Sequence, residues 1–157
     1  MLFRSSFFDT TTQTAASANT AYAVTFDHTD TTNSVRLGSP TSRVVVDEDG
    51  IYNFAFSLQL AKSTSSTGYA YIWYRVNGVD VDDTSTKVLL NGSNAAAVAA
   101  WNFFVSLTAG DYFELMWAAD NTHTTILQEA ATAFCPAIPS AILTVNFVSI
   151  PPQNLSA

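Results

Sequence analysis

Tyr52-Asn53-Phe54-Ala55-Phe56-Ser57-Leu58-Gln59-Leu60 puts a large apolar residue at every even position and a small or polar one at every odd position. Successive side chains of a β-strand point to opposite faces, so this period of two makes a strand with one greasy face and one neutral face. The pattern recurs further along. Tyr69 to Val76 sets Ala70, Ile72, Tyr74 and Val76 against Tyr69, Tyr71, Trp73 and Arg75, so both sides of that strand are expected to touch protein. Asn77-Gly78 follows, and because a type I′ turn needs positive φ at both central residues, this dipeptide signals a hairpin. Asp49-Gly50 and Asn91-Gly92 are read as turns in the same way.

Further strands are expected at Ala21–Phe26, Ser34–Leu37, Arg43–Val46, Thr84–Leu90, Val98–Leu107, Tyr112–Ala118, Thr124–Gln128 and Ala141–Ile150. Loops are expected at Thr29–Asn33, Ser63–Gly68, Ala119–Thr122 and Ala133–Pro139, where Ser, Thr, Asn, Ala, Gly and Pro collect. No helical stripe is sustained, and the Ala-rich run 95–100 leads straight into the β-prone Trp101-Asn102-Phe103-Phe104-Val105. Short strands at this spacing imply a sandwich or barrel.

The chain has 157 residues, 48% of them hydrophobic and only 12% charged, which is enough for one core and half the usual share of charge. Ser and Thr fill about 36 positions instead and give a neutral, β-prone surface. A net charge of −7 and a pI near 4.4 disfavour nucleic acid as a partner. The uncharged stretches 88–110 and 130–157 are broken by Asn and Gly or by four prolines, so no membrane span is read. Met1 to Gln13 lacks the apolar segment of a secretory signal.

Gly50-Ile51-Tyr52-Asn53-Phe54, Asn77-Gly78 closing an aromatic strand, Leu107-Thr108-Ala109-Gly110-Asp111-Tyr112-Phe113-Glu114-Leu115 and a terminal apolar strand, Ala141–Ile150, come in a telling order. Over roughly Arg43 to Ile150 the chain resembles the C1q/TNF-like jelly roll. Ser6-Phe7-Phe8-Asp9-Thr10-Thr11-Thr12-Gln13-Thr14, Ala21-Tyr22-Ala23-Val24 and Ala99-Ala100-Trp101-Asn102 are similar to C1q-like domains encoded by tailed bacteriophages. The resemblance implies an all-β jelly-roll sandwich of about ten antiparallel strands. Residues 1–20 would hold an N-terminal arm and the first strand, 21–150 the jelly-roll domain and 151–157 an extended tail that begins Pro151-Pro152.

It also implies a homotrimer with one sheet of each subunit facing a threefold axis. Phe113, Leu115 and Trp117 are assigned to the sandwich, and Tyr112, Met116, Ala55 and Gln59 to the axis; the alternative for Tyr112 and Met116 is an ordinary surface position. Contact with a virion partner is assigned to Phe3, Phe7, Phe8, Tyr69, Tyr71 and Trp73. Two readings stand side by side for these aromatics. Phe3, Phe7 and Phe8 belong to an inserting arm or to the first strand, whereas Tyr69, Tyr71 and Trp73 pack on a neighbour or stack on sugar rings.

Chemistry is thin. His28 and His123 are the only histidines, without HExxH or His-plus-Cys spacing, so neither a metal nor another cofactor is expected. Cys135 precedes Pro136 in a neutral segment with no cation to activate it, and no G-x-S-x-G occurs. The acidic runs Asp47-Glu48-Asp49 and Asp80-Val81-Asp82-Asp83 admit calcium in principle but are read as solvated turns, because the EF-hand spacing is not met. A calcium-dependent hydrolase or esterase is kept only as a class to test.

The expected function is therefore non-enzymatic: a trimeric capsid decoration or cement protein on the virion surface, bound to the major capsid protein or another virion protein. The chain starts at its own Met1 and carries no stalk, coiled coil or collagenous repeat, which favours decoration. The alternative is the receptor-binding tip of a tail or head fibre, working through the loops Ser63–Gly68 and Ala119–Thr122.

Overall fold

The even positions of the Tyr52–Leu60 run all turn inward, and the strand they belong to, Gly50–Lys62, is the longest in the molecule and the spine of the fold. The structure is a computed structural model and describes residues 4–150. Its strands are β1 (Arg4–Asp9), β2 (Gln13–Thr14), β3 (Tyr22–Ala23), β4 (His28–Thr31), β5 (Val35–Leu37), β6 (Val44–Val46), β7 (Gly50–Lys62), β8 (Gly68–Val76), β9 (Val79–Asp80), β10 (Thr86–Leu90), β11 (Ala96–Leu107), β12 (Tyr112–Ala119), β13 (Thr124–Ile126) and β14 (Ala141–Ser149). Among the described residues there is no helix.

Two antiparallel sheets form a β-sandwich. In the first, β11 runs along one edge of β7 from Leu107 opposite Gly50 to Ala96 opposite Ala61. On the other edge of β7 lie β14 and then β13; β1 and β4 continue outward from β14, and β2 from β13. The second sheet has the order β10-β8-β12-β6-β5, with β9 beside β8 and β3 beside β12.

The space between the sheets is filled by aromatic rings. Phe54 of β7 stacks on Phe113 of β12 at 4.0 Å, Tyr74 of β8 lies 5.3 Å from Phe113, and Phe103 of β11 lies 4.7 Å from Tyr74. Phe113, Leu115 and Trp117 are buried here as their alternation required. Phe7 is buried too, tilted against Phe26 at 6.4 Å. With one cysteine in the chain, no disulfide assists, and burial of these rings is the main favourable term.

Asn77 and Gly78 take φ of 51° and 81°, the left-handed pair that a type I′ hairpin demands. The turn is tied to the start of β12: Tyr112 N–H donates to Asn77 Oδ1 at 3.0 Å, and Asn77 Nδ2 donates to Asp111 Oδ1 at 2.7 Å. Gly50 is a different case. It is the first residue of β7, and a Cβ there would meet Phe147 Cε2 at 2.5 Å, so this glycine permits close packing and makes no turn.

Two carboxylates in this region are held below the usual value of 3.8. For Asp80 the chief cause is the Arg75 hydrogen bond, followed by that of Trp73; for Asp111 it is the Asn77 amide, followed by Thr108 N–H. A depressed carboxylate contributes stability that is complete above its unfolded pKa and is lost as pH falls through the folded one. The melting temperature is therefore expected to hold from pH 7 to about pH 5 and to drop steadily below about pH 4. Thermal melts across that range check it, and a flat profile down to about pH 2 contradicts the assignment.

Candidate functional site

A sandwich this size has two outward faces, and here they differ in kind. The first belongs to β7, β11 and β14, three adjacent strands that contain a single charged residue, Lys62. That residue is 2% exposed and turned away from the face, its ammonium donating to the carbonyls of Thr64 and, at 3.0 Å, Gly92. What remains outward is small or neutral, with Ala55 opposite Asn102 and Thr144, and Asn102 Nδ2 donating to Asn53 Oδ1 at 2.8 Å. Among these stand exposed apolar side chains: Val98 at 61%, Phe104 at 63% and Ile142 at 38%.

A face without charge, studded with exposed Val, Phe and Ile, has the composition of a protein contact and not of a solvated surface. Ala55 and Gln59 lie on it, half-buried. No protein-family model matches the chain, and no match was found among curated proteins. The reading of these surfaces consequently rests on their own chemistry.

The second face belongs to β8, β10 and β12. Tyr69, Tyr71, Trp73 and Arg75 of β8 run along it, with Lys87 and Leu89 of β10 opposite Tyr71 and Tyr69. The Lys87 ammonium sits 3.7 Å above the Tyr69 ring centre and 5.8 Å from that of Tyr71. Trp73 Nε1 donates to Asp80 Oδ1, which also receives Arg75 Nε at 2.6 Å. Beside them the Val81–Ser85 loop closes a cleft of about 280 Å³ lined by Tyr71, Trp73, Asp80, Asp82, Asp83 and Ser85.

The four residues assigned to a threefold axis do not come together. Phe54 and Phe113 meet in the core, so Ala55 and Gln59 project from one side of the sandwich and Tyr112 and Met116, of opposite parity to Phe113, from the other. Met116 is moreover only 1% exposed within one subunit, between its cross-strand neighbours Trp73 and Ala23, and leaves no area for a neighbour to cover. Tyr112 is half-buried under the Arg43 guanidinium, 4.6 Å from its ring centre.

The aromatic contact set divides as well. Phe7 is fully buried, a core residue and not a partner contact. Phe8 points outward and stacks on His28 at 4.8 Å, on the first sheet, whereas Tyr69, Tyr71 and Trp73 are on the second. Phe3 and the tail 151–157 lie outside the described residues. From Arg4 onward the N-terminal segment is a strand hydrogen-bonded between β14 and β4.

Among the described residues no three His, Cys, Asp or Glu side chains converge as metal ligands. Asp47 is paired with Arg36 at 3.1 Å, and Asp49 accepts the Ala109 N–H. Asp27 joins His28 Nδ1 at 2.7 Å and Thr10 Oγ1 at 2.6 Å, but with the carboxylate in the middle, so the imidazole is not between the acid and the hydroxyl as general-base catalysis requires. His123 is exposed and Cys135 half-buried in the 130–140 loop, and neither is a partner in the Asp27 hydrogen bonds to His28 and Thr10. Sequence reasoning missed Val98, Phe104 and Ile142, whose signal was present: each falls on the neutral side of a strand whose other side is fully apolar.

Proposed function

We propose that this chain is a C1q/TNF-like jelly roll that forms a homotrimer through the outer face of β7, β11 and β14 and decorates a phage capsid as a non-enzymatic virion protein. Strand order supports the jelly-roll reading. The paths β4-β1-β14-β7-β11 and β5-β6-β12-β8-β10 account for ten strands, and among these ten the chain crosses between sheets at β4 to β5, β6 to β7, β7 to β8, β10 to β11, β11 to β12 and β12 to β14. The observation that carries the self-association reading is the charge-free outer face in a chain of net charge −7. Three like-charged subunits approach one another at least electrostatic cost where the approaching surface is neutral.

Capsid attachment follows from multivalency. A trimer presents three copies of any weak contact at once, so the shell is bridged without a single strong site, and threefold positions of an icosahedral lattice suit its symmetry. Two measurements test the reading. Sedimentation equilibrium should give three times the 16.9 kDa chain mass at micromolar concentration. Quantitative mass spectrometry of purified particles should find the chain at copy numbers close to those of the major capsid protein. A monomer in solution rejects the trimer, and a copy number an order of magnitude below the capsid protein moves the assignment to a fibre tip.

A further inference from the structure

We propose that the cleft between β8 and the Val81–Ser85 loop is a binding site for a neutral hexopyranose, presented on the side of the sandwich opposite the charge-free face. The first support is its shape and lining. At about 280 Å³ it sits at the small end of ligand pockets, suited to one sugar ring, and combines two aromatic side chains, Tyr71 and Trp73, with carboxylates and the Ser85 hydroxyl. That pairing matches a pyranose, which has an apolar C–H face to lie on an aromatic ring and hydroxyls around its rim to donate to carboxylates and accept from a hydroxyl.

The second support is preorganisation. Trp73 is not a loose surface ring: its indole N–H is held by Asp80, and Asp80 is held in turn by two guanidinium nitrogens of Arg75, at 2.6 and 3.3 Å. Asp83 takes φ of 63° in the loop, and Thr84 Oγ1 donates to the Val81 carbonyl at 2.8 Å, so the wall of the cleft is shaped by its own backbone. Asp80 is occupied by this clamp. Asp82 and Asp83 are exposed and have no ion-pair partner among the described residues.

Charge decides the class of ligand. Asp82 and Asp83, in a chain of net charge −7, repel an acidic sugar. A cationic ligand is opposed by the Lys87 ammonium, which is seated 3.7 Å over the Tyr69 ring beside the cleft and lies 5.8 Å from the centre of Tyr71. A neutral polyol meets neither obstacle. Nothing in this depends on self-association through the opposite face.

Saturation-transfer difference NMR on the intact chain tests the site, with methyl glycosides of D-glucose, D-galactose, D-mannose and N-acetyl-D-glucosamine as ligands. At least one should bind with a dissociation constant of the order of a few millimolar, the range for a single small ring in an open cleft. Trp73→Ala should abolish the signal, and Asp82→Asn, a change in an exposed loop that leaves the core untouched, should weaken binding by about tenfold. Lack of transfer to all four glycosides overturns the proposal. So does binding that survives both substitutions, or binding of tetramethylammonium in place of the sugars, which makes the cleft a cation site.

Discussion

Phe54→Ala is expected to cost about 3–5 kcal/mol of folding stability, the range for deleting a fully buried phenylalanine. Phe54 has no exposed surface and stands in the middle of the spine strand. Across the sandwich its ring lies parallel to that of Phe113, 4.0 Å away with 10° between the planes. Within its own sheet it is opposite Phe103 on one side and Val145 on the other. The rings of Phe103 and Phe113 and the buried Val145 side chain leave little scope for backbone to collapse into the space, so the cavity term adds to the lost transfer free energy. A domain of this size has about 5–15 kcal/mol in total, and the substitution should shift the melting temperature downward by about 10 °C or more. Urea unfolding of Phe54→Ala beside Asn53→Ala gives the comparison, because Asn53 projects from the opposite side of the same strand and its loss should stay below about 1 kcal/mol. Equal losses at the two positions would mean that the rings do not form the principal packing.

The alternation that places Phe54 was readable because every large apolar residue from Tyr52 to Leu60 faces the core and none of the polar residues between them does. Where that rule broke, reading failed. In β1 the inward positions are Ser5, Phe7 and Asp9, all buried, so Ser-Ser-Phe-Phe-Asp shows no greasy side at all. The polar pair is tolerated because Ser5 Oγ donates to the Val35 carbonyl and Asp9 accepts from Thr11 N–H and Oγ1, satisfactions made by residues distant or invisible to local pattern. Phe7 and Phe8 consequently looked equivalent, although one is core and the other surface. Thr29–Asn33 was expected as loop, although Thr29 to Thr31 belong to β4, for a related reason: β4 is exposed at every position and is held by backbone pairing to β1, a signal that side-chain periodicity does not carry.

The placement of the surfaces was legible only halfway. Parity within a strand correctly separates Tyr112 and Met116 from Phe113, and Ala55 and Gln59 from Phe54. It does not say to which sheet a strand belongs. Since β7 and β12 lie in different sheets with Phe54 against Phe113, their outward residues are on opposite sides of the molecule, and a single axis cannot collect both pairs. Similarly, Trp73 was conspicuous as an aromatic, but its clamp to Asp80 depends on β9 folding back beside β8, with Arg75 opposite Asp80. The Asn77-Gly78 turn predicts that return; the cleft made by the residues after it has no sequence signature.

Ala55→Asp is the substitution that most directly separates a buried face from a solvated one. Ala55 is central to the charge-free surface, flanked by Asn102 and Thr144, with no lysine or arginine outward on β7, β11 or β14 to neutralise a new carboxylate. If this surface is wet in the native protein, an aspartate there costs no more than the weak β-propensity difference, about 1 kcal/mol at most. If it is covered by two further copies, each trimer acquires three carboxylates that must be desolvated without partners, at several kcal/mol apiece. The expected outcome is a folded monomer, sedimenting at 16.9 kDa with an unchanged far-UV spectrum, where the unsubstituted chain sediments at three times that mass. An Ala55→Asp trimer as tight as the parent would put the interface elsewhere, and Leu89→Asp on the opposite face, where Leu89 is 52% exposed, would then be the substitution that dissociates it.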